Sequence, residues 1–80
     1  MMTSGQLRAA RALLAIDQRT LAAMAAVSLP TIQRMEASDG VVRGNVDSLT
    51  KVISALETAG LELIKDNAVS AAGGRGVRLK

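Results

Sequence analysis

The stretch DQRTLAAMAAVSLPTIQRME contains two helix start signals close together, and this spacing restricts the fold more than any other feature of the sequence. Asp17 can cap a short helix over 18–25, and Ser28 can cap another over about 29–36. Pro30 stands in the first turn of the second helix, where backbone N–H groups have no partner inside the helix, so its ring marks a start and not a break. The stretch therefore predicts two short helices joined by a tight turn.

The residues before this stretch predict another helix, over 4–15. Thr3 or Ser4 can cap it, and Gln6 stands three residues after Thr3, as in a capping box. The apolar residues at helical spacing are Leu7, Ala10, Leu13 and Leu14. They form one stripe, which we expect to face the core.

The residues after the stretch predict a loop, ASDGVVRGN, followed by a helix over 46–59. Asn45 can cap this helix, Asp47 suits the positive end of its dipole, and Gly60 can end it. Its apolar stripe consists of Val46, Leu49, Val52, Ile53 and Leu56. A helical domain that ends near residue 60 follows from these signals.

The two short central helices would be held together by small and medium-sized apolar side chains. Ala22 is small enough to allow a close approach. The other shared contacts are expected from Leu21, Ala25, Val27, Ile32 and Met35. Helices packed across a tight turn in this way form a helix-turn-helix. The exposed side of the second helix then projects outward and can enter the major groove of B-DNA, which is wide enough for an α-helix.

The C-terminal residues 61–80 differ from the helical part. The segments LELIK and GVRLK predict two short strands, which are separated by DNAVSAAGGR. Because an isolated two-stranded hairpin is barely stable in water, these strands must pack on the helices or pair with another chain. The predicted fold is therefore mainly α, with a compact four-helix helix-turn-helix domain over 1–60 followed by a strand–loop–strand extension.

The composition excludes several kinds of chemistry. The 80 residues include no His and no Cys, so the usual zinc and iron–sulfur ligand sets cannot form, nor can a Cys/His or Ser/His catalytic pair. The sequence also has no Gly-rich loop of the kind that holds a nucleotide phosphate. We therefore expect no metal, no cofactor and no enzyme activity.

The charge balance is compatible with a nucleic-acid partner. Lys and Arg number 10 against 7 Asp and Glu, which gives a net charge of +3 and an isoelectric point near 10.2. An isoelectric point above about 9 is one ingredient of a nucleic-acid-binding surface, although many small domains carry such an excess on a solvated face. The sequence contains no apolar run of about 18 residues and no export cleavage pattern, so we expect a cytoplasmic protein with no membrane span.

Residues 5–60 resemble the Cro/phage-repressor (XRE) family of helix-turn-helix transcriptional regulators, as a short single-domain member. The residues that carry the resemblance are Arg11, Gln18, Leu21, Ala22, Val27, Ser28, Thr31, Ile32, Arg34, Met35 and Glu36. One departure is Ala26, where the family often has a glycine in a left-handed turn conformation, so we expect this turn to be either remodelled or strained. The resemblance implies a sequence-specific regulator that binds double-stranded DNA.

The resemblance and the chemistry of the side chains together indicate which residues contact DNA. The predicted base-reading residues are Leu29, Pro30, Gln33 and Arg34. The predicted phosphate-contacting residues are Gln18, Arg19, Ser28, Thr31 and Arg43. Gln pairs well with adenine and Arg with guanine, whereas Leu29 and Pro30 could only contact a thymine methyl group or shape the fit. The alternative for each polar residue is an ordinary solvated side chain.

Arg11 and Glu36 match the structural ion pair of the family, which ties the first helix to the end of the third. We expect this pair to stabilise the fold and to contribute little contact energy to DNA. Breaking one side of such a pair, if it is buried, costs about 3–5 kcal/mol.

A single copy that reads a few bases would bind too weakly for a regulator, whereas a symmetric dimer on a roughly palindromic operator places two recognition helices about 34 Å apart. The predicted dimerisation residues are Leu61, Leu63, Ile64, Val77 and Leu79. The alternative for the strands is a hairpin within one chain that covers the helices. The alternative function is an antitoxin-like module that neutralises a partner protein through its C-terminal tail.

Overall fold

Four α-helices precede two β-strands in the parts of the chain that the structure, a computed structural model, describes, namely residues 2–42, 45–64 and 76–80. The helices are α1 (Ser4–Leu14), α2 (Gln18–Ala25), α3 (Leu29–Glu36) and α4 (Val46–Thr58). The strands β1 (Leu61–Ile64) and β2 (Gly76–Leu79) form an antiparallel sheet. The predicted mainly α fold with a C-terminal strand pair is confirmed, and every element lies within one residue of its predicted bounds.

Each helix begins at a side-chain cap. The capping residues are Thr3, Asp17, Ser28 and Asn45, and each accepts a hydrogen bond from the backbone N–H three residues later. At α1 the capping box is complete, because the Gln6 N–H donates to Thr3 Oγ1 at 3.1 Å and the Thr3 N–H donates to Gln6 Oε1 at 2.8 Å. Thr3, and not Ser4, is therefore the cap.

Alanine residues end the first two helices in a left-handed conformation. Ala15 has φ 55° after α1, and Ala26 has φ 56° after α2. An L-residue pays about 1–2 kcal/mol in this region. The turn between α2 and α3 therefore keeps the left-handed geometry under strain instead of being remodelled. Gly60, with φ 98°, follows α4 at the position where a glycine commonly ends a helix.

The hydrophobic core lies between the buried faces of the four helices, and α1 and α4 also pack against the sheet. The buried apolar side chains are Met2, Leu7, Ala10, Leu21, Ala22, Ala25, Ile32, Met35, Val42, Leu49, Val52, Leu56 and Leu61. Two residues that we predicted for the apolar stripes lie outside it, since Leu13 is 45% exposed and Val46 is 73% exposed. Successive helical residues are rotated by about 100°. Both residues therefore lie at the edge of their stripe, and Val46 also stands in the first turn of α4.

The N-terminal residues pair with the loop that follows α3. The Ser4 N–H donates to Gly40 O at 2.8 Å, the Val42 N–H donates to Met2 O at 2.9 Å, and Thr3 forms a β-bridge with Val41. The side chain of Met2 is buried in the core. The start of the chain therefore holds one end of the connection between α3 and α4, a contact that the sequence analysis did not predict.

The two strands pair within a single chain. Leu61 lies opposite Leu79, and Leu63 lies opposite Val77. Because side chains alternate between the faces of a sheet, these four residues share one face. Leu61 is 1% exposed, and Leu63 and Val77 pack against the core, so this face covers the helices. Of the two arrangements that we considered for the strands, the hairpin within one chain is the one observed.

The sheet is attached to the helices at two further points. The Gln6 side chain on α1 donates from Nε2 to Gly76 O at 2.9 Å, and the Lys80 N–H donates to Gly60 O at 2.7 Å. On the opposite face of the sheet, Arg78 and Glu62 form an exposed ion pair of 2.7 Å. The C-terminal extension thus folds onto the same core as the helices.

Candidate nucleic-acid interface

The C-terminal end of α3 is fixed by an ion pair with α1. Arg11 Nε lies 2.5 Å from Glu36 Oε2, and Arg11 Nη2 donates to Glu36 Oε1 at 2.7 Å, so the contact is bidentate. The Glu36 side chain is only 5% exposed. Arg11 Nη1 also donates to Ile16 O at 3.3 Å, which ties the end of α1 to the same site. This is the pair that the resemblance implied, and it orients α3 relative to α1.

Both members of this pair are held in their charged forms. Burial raises the pKa of Glu36, but hydrogen bonds from Arg11 and Gln18 outweigh that effect and leave the pKa below its usual value. The hydrogen bond to Glu36 raises the pKa of Arg11. The ion pair is therefore intact at neutral pH, and acid is the condition that would break it.

A second arginine on α1, which the sequence analysis missed, holds the backbone at the same end of α3. Arg8 Nη1 donates to Glu36 O at 2.6 Å. Carbonyl groups in the last turn of a helix have no partner inside the helix, and a cation there is favoured by the helix dipole. The signal that could have revealed Arg8 is its spacing from Arg11, because residues three apart lie on the same side of a helix.

The polar side chains in the first turn of α3 form hydrogen bonds within that turn. Ser28 Oγ accepts a hydrogen bond from the Thr31 N–H at 3.2 Å and lies 2.7 Å from Thr31 Oγ1. Pro30 is exposed in this turn, and Leu29 is half-buried. The leading edge of α3 therefore combines two apolar side chains with two hydroxyl groups that bond to each other.

The next turn of α3 presents polar side chains. Gln33 and Arg34 are both exposed, and Arg34 Nη2 lies 3.5 Å from Thr31 Oγ1. Because residues three and four apart share a helix face, Pro30, Gln33 and Arg34 form one outward surface. The opposite side of α3 is buried through Ile32, Met35 and Glu36. The structure thus brings together the exposed side chains that were predicted to read bases.

The start of α2 contributes two of the predicted phosphate contacts. Gln18 is half-buried and donates from Nε2 to Glu36 Oε1 at 3.2 Å, so it connects α2 to the end of α3. Arg19 is exposed. Asp17 caps this helix, and the hydrogen bond from the Thr20 N–H lowers the pKa of its carboxylate.

The remaining predicted site residues are less favourably placed. Arg43 lies outside the described residues. Leu61 is buried within its own chain and cannot contact a partner directly, and Leu63 and Val77 also pack against the core. The side chain of Ile64 is likewise outside the described parts. Among the predicted dimerisation residues whose side chains the structure describes, Leu79 is the most exposed, at 58%.

The distribution of ion pairs leaves positive charge on the helix-turn-helix. Lys51 pairs with Asp47 at 3.3 Å, and Arg78 pairs with Glu62. Arg19 and Arg34, by contrast, form no ion pair with any residue that the structure describes. These two guanidinium groups lie on α2 and α3, the two helices of the helix-turn-helix.

Elsewhere on the described surface, an open groove of about 480 Å³ lies between α2 and α4. It is lined by Met24, Ala25, Thr50, Lys51, Ser54, Ala55 and Thr58. No cluster of three or more carboxylate residues that could bind a metal ion occurs among the residues that can be placed. Over the same residues, no helix has the length and apolarity that a membrane crossing requires.

No protein-family model matches this sequence, and no curated protein matches it.

Proposed function

We propose that this protein is a sequence-specific DNA-binding regulator of transcription, which acts in the cytoplasm as a homodimer on a roughly palindromic operator. In this proposal α3 enters the major groove of double-stranded DNA. Gln33 and Arg34 contact base edges, and the start of α2 lies near the phosphate backbone.

One observation carries this proposal: α3 is firmly held on one side and exposed on the other. Three hydrogen bonds from Arg8 and Arg11 fix its last residue, while Pro30, Gln33 and Arg34 face solvent. A helix that reads DNA must protrude from the domain without changing its orientation. Arg19 and Arg34, which form no ion pair with a described residue, supply positive charge to the same part of the molecule, as binding to phosphates requires.

The two-stranded sheet supports the homodimer. In a two-stranded sheet, each strand has one side whose backbone groups face away from the other strand and can accept a further strand. A second copy could add its sheet there and form a four-stranded sheet across the dimer. Leu79 would add apolar contact area, because it is exposed at the end of β2.

The same edges support the second candidate, an antitoxin-like module that binds a partner protein through its C-terminal residues. A strand of another protein could pair with β1 or β2 in the same manner. A partner that co-purifies from the native host at a fixed stoichiometry would favour this function.

The decisive experiment is selection of bound duplexes from a random DNA pool, followed by sequencing. An enriched sequence with two symmetric half-sites, one turn of DNA apart, is the expected result. Affinity for the enriched duplex should fall steeply as salt rises, because phosphate contacts release counterions. Absence of any enriched sequence would overturn the proposal.

Substitution of Arg34 tests the assigned face directly. Arg34→Ala should weaken binding to the enriched duplex by about 1–3 kcal/mol and relax the base preference at one position. Arg78→Ala is the matched control, since it removes the same charge from the C-terminal sheet. Arg43→Ala should instead weaken all sequences alike, as expected for a phosphate contact. Equal effects of Arg34→Ala and Arg78→Ala on affinity would assign DNA binding to a different surface.

A further inference from the structure

Two apolar side chains, Leu29 and Pro30, stand at the leading edge of α3, where the two neighbouring hydroxyl groups bond to each other. The hydroxyl groups of Ser28 and Thr31 lie 2.7 Å apart, and Ser28 also caps the helix. The side chains beside them, Leu29 and Pro30, contain only carbon and hydrogen beyond the backbone. At these two positions α3 can therefore recognise an apolar feature of a base, and neither side chain can form a hydrogen bond with one.

Arg34 lies next to this apolar edge. It follows Pro30 by four residues and so shares its face of α3. Its Nη2 atom lies 3.5 Å from Thr31 Oγ1, which places the guanidinium group toward the first turn of the helix. An arginine in the major groove pairs with the O6 and N7 acceptors of guanine. The surface thus combines the apolar side chains of Leu29 and Pro30 with Arg34, an arginine suited to guanine, about one helical turn away.

The major groove offers one common apolar group to such an edge, the 5-methyl group of a pyrimidine, which thymine carries and unmodified cytosine does not. We propose that Leu29 and Pro30 bind the 5-methyl group of a pyrimidine, with Arg34 bound to a nearby guanine. This inference rests on the proposed function, because it specifies what the same face of α3 recognises. The recognised chemistry is shared by thymine and 5-methylcytosine.

Replacement of thymine by deoxyuridine tests the proposal, because it removes the methyl group and leaves base pairing unchanged. In the duplex obtained by selection, each thymine of a half-site is replaced in turn, and affinity is measured by fluorescence anisotropy of labelled DNA. At one position we expect binding to weaken about fourfold per half-site, the effect of exposing one buried methyl group. Replacement at the other thymines should change affinity little.

Variants of the protein assign the effect to the two residues. Pro30→Ala and Leu29→Ala should each reduce the preference for thymine over deoxyuridine at that position. Pro30 is exposed, so its replacement tests the contact even if Leu29→Ala lowers stability. Met24→Ala is the matched control, because Met24 is an exposed apolar residue of α2 beside the groove with α4. It should leave the preference unchanged.

A second pair of duplexes separates the two sources of the methyl group. With a C·G pair at the same position, tighter binding of 5-methylcytosine than of cytosine would show that the methyl group is read in either base. Equal binding would restrict the ligand to thymine.

The outcomes separate this inference from the function on which it rests. If one duplex is bound specifically but no thymine-to-deoxyuridine replacement weakens binding, the proposed methyl contact is wrong. The proposed function as a DNA-binding regulator then still stands. A methyl preference that persists in both Leu29→Ala and Pro30→Ala would also overturn the assignment. If no sequence is bound in preference to others, the proposed function itself fails.

Discussion

At the scale of single residues, Glu36 connects three helices through one carboxylate. It belongs to α3, accepts two hydrogen bonds from Arg11 of α1, and accepts a third from Gln18 of α2. Its backbone carbonyl accepts another from Arg8. The orientation of the proposed recognition helix therefore depends on one nearly buried anion.

Replacement of this carboxylate should destabilise the fold in a manner that depends on pH. Because the pKa of Glu36 is lowered in the folded state, its contribution is complete above the ordinary glutamate pKa and is lost as pH falls through the folded value. Glu36→Gln should lower the free energy of unfolding by about 3 kcal/mol at pH 7. Its difference from the wild type should shrink below about pH 4, as measured by urea unfolding with far-UV circular dichroism.

Asp47→Asn provides the control for this measurement. Asp47 pairs with Lys51 at the surface, where both side chains are largely solvated. Exposed ion pairs contribute about 0–1 kcal/mol, so this change should have little effect at either pH. Equal losses from Glu36→Gln and Asp47→Asn at pH 7 would contradict a structural role for the buried pair.

Replacement of Ala26 by glycine should raise the stability of the fold instead of lowering it. Its left-handed conformation costs an L-residue energy that glycine does not pay, although glycine loses more entropy on folding. Ala26→Gly should therefore raise the free energy of unfolding by about 0.5–1 kcal/mol. Ala23→Gly, at an exposed interior position of α2, should lower it by a similar amount. A loss of stability in Ala26→Gly would show that the left-handed conformation costs alanine less than the entropy that glycine loses on folding.

At the scale of secondary-structure elements, Gln6 joins the start of α1 to β2. Its side chain completes the capping box and also donates to Gly76 O, and it is buried. Gln6→Ala should lower the free energy of unfolding by about 1–2 kcal/mol. It should also increase amide hydrogen exchange in β2, because the sheet loses an attachment to α1.

Thr3→Ala separates the two roles of Gln6. It removes the cap of α1, at a cost of about 1 kcal/mol, but leaves the hydrogen bond to Gly76 in place. Amide exchange in β2 should therefore rise in Gln6→Ala and stay unchanged in Thr3→Ala. Unchanged exchange in both variants would show that β2 does not depend on this contact.

The elements were predictable because their signals are local. Caps such as Asp17 and Ser28, together with Gly60, set the helix bounds, and alternation of apolar residues marked the strands. Contacts between distant segments left no such signal. The bridge between Thr3 and Val41 involves too few residues to show a period. The spacing of Arg8 from Arg11 indicates its side of α1, but not which backbone carbonyl it binds.

The candidate site was predictable to a similar extent. Exposure of Gln33 and Arg34 follows from helix geometry once Ile32 and Met35 face the core. The pairing of the Ser28 and Thr31 hydroxyl groups does not follow, because side-chain rotamers depend on neighbours that the sequence does not place. The burial of Leu61 could not be predicted either, because alternation of apolar residues identifies an apolar face but not what covers it.

At the scale of the whole molecule, the proposed homodimer depends on an exposed residue of β2. Leu79→Glu places a charge on the proposed contact and should produce a monomer, because an unpaired charge is costly in an interface. Its circular dichroism spectrum should match that of the wild type, since Leu79 lies outside the core. Size-exclusion chromatography with light scattering measures the change.

Leu13→Glu is the matched control for the dimer. Leu13 is also an exposed leucine, but it lies on α1. This variant should remain dimeric. A wild-type monomer at all accessible concentrations, or a Leu79→Glu variant that stays dimeric, would exclude the sheet as the dimer contact.

The pairing of residues 2–4 with 40–42 has a consequence for how the protein can be handled and cleaved. Met2 is anchored in the interior, and its carbonyl oxygen holds Val42, one residue before Arg43. A protease that trimmed this N-terminal segment would release the connection ahead of α4 while leaving the Arg11–Glu36 anchor of α3 untouched. An affinity tag fused directly ahead of Met2 should therefore disturb this pairing.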